Sequence, residues 1–267
     1  MTTPVPSQPV SGDLIALAHR MAESAGAVIR RYFRADVEID AKSNLTPVTI
    51  ADRQAEEALR AILAAERPDD GILGEELGTH GLDREYVWVL DPIDGTKSFM
   101  TGRPIFGTLI GLLRQGRPVL GIIDQPILGE RWIGGVGYPT RFNGKPVRTR
   151  ACPTLAEATV TTTSPDMFKG EEAERFARLK AASRYVVYGS DCYGYAQVAN
   201  GWLDISVERD LAPWDWAALV PVVEGAGGRM TDWQGRDLVL GAVGEVVASG
   251  DIRSHAEALA IMGGKGD

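Results

Sequence analysis

The chain has 267 residues, of which 44% are hydrophobic, 7% aromatic and 24% charged. These proportions are those of a soluble globular protein with a sizeable core, so they exclude disorder, a collagen-like repeat and a coiled coil. The 36 acidic residues outnumber the 28 basic ones and give a net charge of −8. Without a basic excess, neither a nucleic-acid backbone nor an anionic membrane is expected as the main partner.

The cysteine content and the N-terminus predict a cytoplasmic protein. Only Cys152 and Cys192 occur, which is too few for a zinc cluster and typical of a reducing compartment. The first 12 residues lack the basic segment and apolar run of a secretory signal. The longest apolar stretch, residues 105–113, is too short to span a bilayer.

The first half of the chain predicts two helices followed by strands. Residues 1–11 are rich in Pro, Ser and Thr and predict a flexible N-terminus. Ser11 predicts the start of an amphipathic helix that extends to about Tyr32, and a second helix is expected after residues 44–49. Short apolar runs predict the strands of an antiparallel meander at residues 72–73, 86–90, 106–113, 119–123 and 131–136.

After about residue 150 the chain alternates between strands and helices. Strands are predicted at residues 158–163, 185–188, 203–207, 228–231 and 245–248. Helices are predicted at residues 171–182, 192–200 and 214–225. We therefore expect an α+β half over residues 12–150 and an α/β half over residues 151–267, packed as one compact catalytic unit. A ligand site is expected between the halves.

The strongest chemical signal is the segment WVLDPIDGTKSF, residues 88–99. An apolar strand delivers Asp91 and Asp94 at its end, and Gly95 then permits a tight turn. Thr96 can open a helix or turn whose backbone N–H groups attract phosphate. Carboxylate oxygens are the ligands that Mg²⁺ prefers. The alternative is an Asx-type turn that only ends the strand.

Two other segments carry acidic residues at the ends of predicted elements. Glu75 and Glu76 follow an apolar run, and Asp215 precedes an apolar helix. Taken singly, the glutamates are a solvated pair and Asp215 is a helix N-terminal residue. The motifs of serine hydrolases, P-loops and dinucleotide sites are absent. The separated acids therefore favour a site in which oxygen ligands hold several metal ions.

In this order and spacing, the motifs closely resemble the inositol monophosphatase superfamily of metal-dependent phosphatases. The segments that carry the resemblance are Gly74-Glu75-Glu76, Asp91-Pro92-Ile93-Asp94-Gly95-Thr96, Trp214-Asp215 and Glu224-Gly225-Ala226-Gly227-Gly228. It covers the chain from about residue 12. It implies a mixed α+β and α/β fold, the layered αβαβα sandwich of the sugar phosphatases. It further implies a homodimer, two to three Mg²⁺ ions per active site, and a small phosphate ester as substrate.

The resemblance also implies a role for each metal-site residue. Glu75, Asp91 and the carbonyl of Ile93 would hold one metal ion. Asp91, Asp94 and Asp215 would hold the second, and a third, looser ion is expected near Glu75.

The same resemblance supplies the catalytic roles. Asp52 matches the family acid that works with Thr96 to accept a proton from the attacking water, with Glu75 beside the third metal ion. The backbone N–H groups of Gly95 and Thr96 would hold the phosphate. The segment Lys42–Thr49, dominated by Ser, Asn, Thr and Pro, is predicted to be a mobile lid.

Within the superfamily, residues 94–109, 121–126, 163–168 and 189–193 are similar to the histidinol-phosphate phosphatase branch. L-Histidinol phosphate carries an ammonium and an imidazole, whereas inositol carries only hydroxyls. Asp191, Glu208 and Asp94 are the predicted substrate-binding residues. By the resemblance, Asp191 and Glu208 fall in segments that flank the substrate pocket of the family, and two carboxylates there would favour the cationic amino alcohol.

Three alternatives stay open on the sequence. Asp191 could instead cap the helix that follows it. The substrate could be inositol-1-phosphate or another small phosphate ester. The chain could also be a non-catalytic descendant that binds metal or phosphate, although Asp52 and Thr96 favour catalysis because a binding module needs no water-activating residues.

Overall fold

The computed structural model describes residues 8–35, 39–41, 47–242 and 244–263, without the side chains of residues 39–41 and 47–49. The α-helices are α1 (Gly12–Tyr32), α2 (Ile50–Glu66), α3 (Thr96–Met100), α4 (Glu171–Ala182), α5 (Tyr193–Ala199), α6 (Pro213–Trp216), α7 (Leu219–Gly225) and α8 (Ile252–Met262). The strands of the first half are β1 (Ile39–Ala41), β2 (Pro47–Thr49), β3 (Gly71–Gly74), β4 (Gly78–His80), β5 (Tyr86–Asp94), β6 (Gly107–Arg114), β7 (Arg117–Gln125), β8 (Glu130–Gly135), β9 (Tyr138–Phe142) and β10 (Lys145–Pro146). Those of the second half are β11 (Thr159–Thr162), β12 (Tyr185–Tyr188), β13 (Ile205–Glu208), β14 (Arg229–Asp232) and β15 (Val246–Ser249).

Helices and sheets alternate in five layers. Helices α1 and α2 cover one face of a sheet with the strand order β10-β9-β8-β7-β6-β5-β3-β4. Helices α5, α6 and α7 lie between this sheet and a second one, ordered β12-β11-β13-β15-β14. Helices α4 and α8 cover the outer face of the second sheet. The predicted αβαβα sandwich is therefore confirmed.

Apolar side chains fill the spaces between these layers. Helix α1 begins after Ser11, whose Oγ accepts a hydrogen bond from Leu14 N at 3.4 Å. The helix buries Leu17, Met21 and Ile29 against the first sheet, as its amphipathic pattern predicts. A second apolar cluster joins both sheets through α5, α6 and α7, so the two halves share one core.

The predicted helix over residues 214–225 is wrong, because the structure contains two short helices there, α6 and α7. Pro221 has no N–H to donate to the carbonyl of Ala217, four residues earlier. The chain turns at Ala217 and Ala218. The backbone of this turn lies so close to Gly121 that a Cβ there would meet Ala218 O at 1.9 Å.

Other differences concern pairing and the chain ends. Strand β3 pairs with β5 in parallel, so the predicted meander is antiparallel only from β5 to β10. Helix α8, capped by Asp251, was not predicted. Within the N-terminal segment, Val10 N donates to Val136 O. Residues 42–46 of the predicted lid lie outside the described residues. Among the described helices, none combines the length and the apolar character that crossing a bilayer requires.

Candidate active site

Strand β5 carries two of the predicted metal ligands into the site. The strand extends to Asp94 instead of ending at Leu90, and its pairing with β6 shifts register between Asp91 and Asp94. Pro92, which has no N–H for the sheet, lies within this irregularity, and its carbonyl accepts from Thr108 Oγ1 at 2.8 Å. Irregular pairing of this kind re-aims side chains at a strand end.

Gly95 and Thr96 form the turn that follows. Gly95 adopts φ 86°, a left-handed conformation that glycine adopts without strain, and a Cβ there would meet Asp191 Oδ2 at 2.8 Å. Thr96 begins α3, and its hydroxyl donates to the carbonyl of Ile93 at 3.2 Å. The three residues predicted to bind metal or phosphate through backbone atoms, Ile93, Gly95 and Thr96, therefore share one tight turn.

Asp215 reaches the same place from the second half of the chain. One carboxylate oxygen each of Asp91, Asp94 and Asp215 lies within 4.8 Å of the others. Asp215 Oδ2 also accepts from Ala212 N at 2.6 Å, at the start of α6. Asp215 is thus both the helix N-terminal residue and a member of the acidic cluster, so the two interpretations of the sequence are compatible.

The cluster holds its protons tightly. Burial, and then the charges of neighbouring carboxylates, raise the pKa of Asp94 to about 7 and the pKa values of Asp91 and Asp215 well above their ordinary range. Charges on Glu75 and Asp52 contribute to the shift in the pKa of Asp91, which places both near it. All of these groups offer the hard oxygen atoms that divalent cations bind.

Asp91 provides the most direct evidence that a cation fits here. Its side chain is 1% exposed, and its Oδ1 has no hydrogen-bond partner among the described residues. An unpaired buried acceptor is costly, and it is rare in native proteins outside functional sites. The carboxylates of Asp91, Asp94 and Asp215 lie close together, and with this acceptor unpaired they form a set of oxygen ligands that fits Mg²⁺.

Glu75 is held in place by a residue that the sequence analysis missed. Glu75 follows β3, and its N–H donates to Leu90 O at 3.1 Å on the neighbouring β5. The fully buried carboxylate of Glu56, on α2, accepts from Glu76 N at 2.8 Å and from Leu77 N at 3.2 Å. The available signal was a glutamate on the apolar face of α2, four residues after Asp52, which lies buried in the first turn of that helix.

The structure brings Asp191 and Glu208, which were predicted to bind substrate together with Asp94, to the edge of this cluster. Asp191 adopts φ 43°, and its carboxylate accepts a hydrogen bond from Ser98 Oγ at 2.6 Å, so its side chain contacts α3 and not the helix that it precedes. Glu208, at the end of β13, accepts from Thr163 N at 2.6 Å. Burial, and then Asp94 and Asp191, raise the pKa of Glu208 to about 8. Ser98 was not among the predicted site residues.

Comparisons with known proteins identify the family of the chain. Residues 12–262 match the Inositol monophosphatase family. Bifunctional phosphatase IMPL2, chloroplastic, of Arabidopsis thaliana is 48% identical over 253 residues, which are 91% of this chain and 73% of that protein. A histidinol-phosphatase of Chlorobaculum parvum is 37% identical over 88% of this chain and 92% of its own length.

A solved structure gives the same result for the fold. An inositol monophosphatase from Zymomonas mobilis superposes with a TM-score of 0.87 at 50% identity, over 95% of this chain and all of that one. The chain therefore belongs to the Inositol monophosphatase family, a family of metal-dependent phosphatases. It is a phosphatase, and the similar proteins include both histidinol-phosphatases and inositol monophosphatases.

Proposed function

We propose that this phosphatase hydrolyses L-histidinol phosphate to L-histidinol and phosphate in histidine biosynthesis, with two to three Mg²⁺ ions per site. The observation that carries the proposal is the surplus of acid. Glu208 and Asp191 border Asp94 and Asp215 as two acids beyond the three carboxylates that cluster for a cation, and burial raises the pKa of both, to about 8 for Glu208. A substrate with an ammonium group and an imidazole would favour the ionised forms of these two acids and pair with them, whereas a neutral polyol would not.

The proposed metal sites follow the resemblance. Glu75, Asp91 and the Ile93 carbonyl would hold one ion, and Asp91, Asp94 and Asp215 a second. Bound Mg²⁺ would supply positive charge that stabilises the phosphoryl oxygens and the leaving alkoxide.

The remaining chemistry belongs to the chain itself. Backbone N–H groups of Gly95 and Thr96, in the turn that begins α3, would bind the phosphate oxygens. Asp52 would accept the proton of the attacking water through Thr96 Oγ1, as a general base. Ser98 Oγ donates a hydrogen bond to Asp191 and holds it at the edge of the acidic cluster. Asp191 and Glu208 would then bind and orient the alcohol part of the substrate.

Inositol-1-phosphate is the second candidate substrate. The 50% identity to an inositol monophosphatase supports it. The surroundings of Asp191 also support it, because Arg103 and Lys97 lie near enough to lower its pKa against the rise that burial causes. A carboxylate that already has cationic neighbours has less need of a substrate ammonium.

The first test is phosphate release from histidinol phosphate and inositol-1-phosphate by the purified protein, with Mg²⁺ and with EDTA. An EDTA-sensitive preference for histidinol phosphate is expected. A preference for inositol-1-phosphate would be compatible with the proposed metal site but would contradict the proposed substrate. From the family resemblance we also propose that the protein is a homodimer located in the cytoplasm. Light scattering of the purified protein tests whether it is a dimer.

The second test uses Asp191→Ala and Glu208→Gln on both substrates. Loss of a charge-assisted contact should raise the KM for histidinol phosphate roughly tenfold and change that for inositol-1-phosphate much less. Glu174→Ala, an exposed acid on α4, is the control and should change neither value. Equal losses on both substrates would contradict a role in binding the ammonium group.

A further inference from the structure

Buried polar atoms without a hydrogen-bond partner concentrate around the active site. In the described part of the chain they are Asp91 Oδ1, Tyr195 Oη, Ser206 Oγ, Arg209 Nε and Trp216 Nε1. Asp91 belongs to the acidic cluster, and Trp216 and Arg209 directly follow Asp215 and Glu208. Tyr195 and Ser206 have no role in the chemistry described above, so their unpaired hydroxyls need another explanation.

The geometry of β13 explains where Ser206 points. Side chains alternate between the two faces of a strand, and Ile205 and Val207 pack in the outer apolar cluster with α4 and α8. Ser206 and Glu208 therefore face the opposite way, toward the middle helix layer. Both are buried, with exposures of 0% and 4%. A serine and a glutamate on a fully buried face indicate a polar pocket.

Tyr195 lies on α5 above this face of the strand. Its side chain is 1% exposed, and its phenol lies within hydrogen-bonding reach of the Ser206 hydroxyl, an interaction that lowers the phenol pKa. Burial raises that pKa far more, and the largest electrostatic contribution comes from Glu208, ahead of Asp94. Even so, neither Tyr195 Oη nor Ser206 Oγ has a hydrogen-bond partner of ordinary geometry among the described residues.

Two facing hydroxyls beside a carboxylate are the surroundings that a buried water needs. Such a water commonly makes about three hydrogen bonds to groups that would otherwise be unsatisfied. Glu208 Oε1 is fixed by Thr163 N, so one contact already sets one end of the carboxylate. A second contact from the side of Tyr195 would fix the rotation of the group.

We propose that Tyr195 is a positioning residue for Glu208: with Ser206 it holds a buried water that hydrogen-bonds to the Glu208 carboxyl and fixes its orientation toward the substrate. The inference rests on the proposed function only in taking Glu208 as a substrate-binding group. It applies to whichever phosphate ester the enzyme prefers, since it concerns the orientation of the carboxylate and not the identity of its partner.

A double-mutant cycle of Tyr195→Phe and Glu208→Gln tests the coupling, on the better substrate of histidinol phosphate and inositol-1-phosphate. We expect Tyr195→Phe to raise KM about fivefold or more with kcat within twofold. Because Tyr195 acts through Glu208, the double variant should match Glu208→Gln within twofold. Additive effects, or a KM unchanged by Tyr195→Phe, would overturn the proposal.

Tyr193→Phe is the matched control on the same helix. Tyr193 Oη donates to Glu130 Oε2 at 2.5 Å, so this variant removes a satisfied phenol. Tyr193→Phe should lower the Tm of metal-free protein and leave the KM of the enzyme assayed with Mg²⁺ unchanged. Tyr195→Phe should not lower Tm, because it removes a hydroxyl whose only partner is a water. If Tyr195→Phe lowered Tm as much as Tyr193→Phe does, the Tyr195 hydroxyl would have a structural role and the proposal would be overturned.

A crystal structure of the wild-type protein separates this inference from the substrate assignment. An ordered water bonded to Tyr195 Oη and Ser206 Oγ would support the pocket even if the enzyme hydrolysed neither test ester, a result that would contradict only the proposed function. A dry pocket, or a direct hydrogen bond between the two hydroxyls, would overturn the inference.

Discussion

Two sets of buried acids in this protein have opposite surroundings. Asp204, 1% exposed, receives two hydrogen bonds from Arg150, at 2.6 and 2.5 Å, and Asp124 receives one from Arg131 at 2.6 Å. Asp91, at the same 1% exposure, has other carboxylates as its electrostatic neighbours. No arginine or lysine within the described ranges forms an ion pair with Asp91, Asp94 or Asp215.

The difference predicts which of the buried acids bind a ligand. A buried carboxylate beside an arginine has its charge compensated within the chain, so it contributes to the packing of the fold. Several buried carboxylates without a cation destabilise one another and require a partner from outside. Burial alone therefore says little about function, whereas burial without compensation indicates a binding site.

The largest expected effect is on turnover, from Asp91→Asn. This change removes a ligand proposed for both metal ions, so kcat/KM should fall about a hundredfold or more. The metal-free Tm should not fall, because the neutral amide relieves repulsion in the cluster. Retention of more than about a tenth of wild-type activity in a phosphate-release assay would contradict the shared-ligand role.

Arg150→Ala should show the opposite pattern. It leaves Asp204 buried without its guanidinium, and since Arg150 itself is partly exposed, the free energy of unfolding should fall by about 2 kcal/mol. Urea denaturation measures the change, and kcat/KM at a temperature where the variant is folded should equal that of the wild type. Arg253→Ala is the control with the smaller effect, because the Arg253 side chain is exposed and its partner Asp251 also accepts hydrogen bonds from the backbone N–H groups of Cys152 and Arg253. A loss of activity without a loss of stability would argue against a structural role.

The smallest expected effect is the pH dependence of the site. The carboxyls of the cluster have raised pKa values, that of Asp94 being about 7, whereas in the unfolded chain they ionise near 3.8. Between these values the native state binds more protons, so the stability of metal-free protein should fall as pH rises from about 4 through 7.

Mg²⁺ binding should have the opposite dependence on pH. The ion requires ionised carboxylates, so its affinity should increase roughly tenfold between pH 6 and 8, measured by calorimetry with proton release. Asp94→Asn should flatten the pH dependence, and an affinity that is independent of pH in the wild type would contradict the proton-holding cluster.

The sequence predicted the fold and, by its local pattern, one part of the site, but not the contacts that bring the distant groups to it. The sequence predicted the family and the layered fold, and both are confirmed. Asp91, Asp94, Gly95 and Thr96 are consecutive or nearly so, and a local motif therefore placed them on one turn. The substrate, the role of each site residue and the division near residue 150 stay predictions.

Tertiary contacts decided what the local pattern could not. Pro221 is visible in the sequence, yet the break between α6 and α7 also depends on Gly121 allowing close approach of the backbone. Glu56 looked like a polar residue of an amphipathic helix, and only the packing of α2 on β3 shows that it holds the Glu75 turn.

The sequence by itself determined the acidic chemistry and the strand-and-turn segment that presents it, because apolar periodicity and the Asp-Pro-Ile-Asp-Gly-Thr motif act over a few residues. Only the tertiary structure decided which distant groups complete the site. Asp215, Asp191 and Glu208 approach Asp94 because the middle helices pack between two sheets. That packing depends on apolar surface buried between layers, which no local pattern of residues specifies.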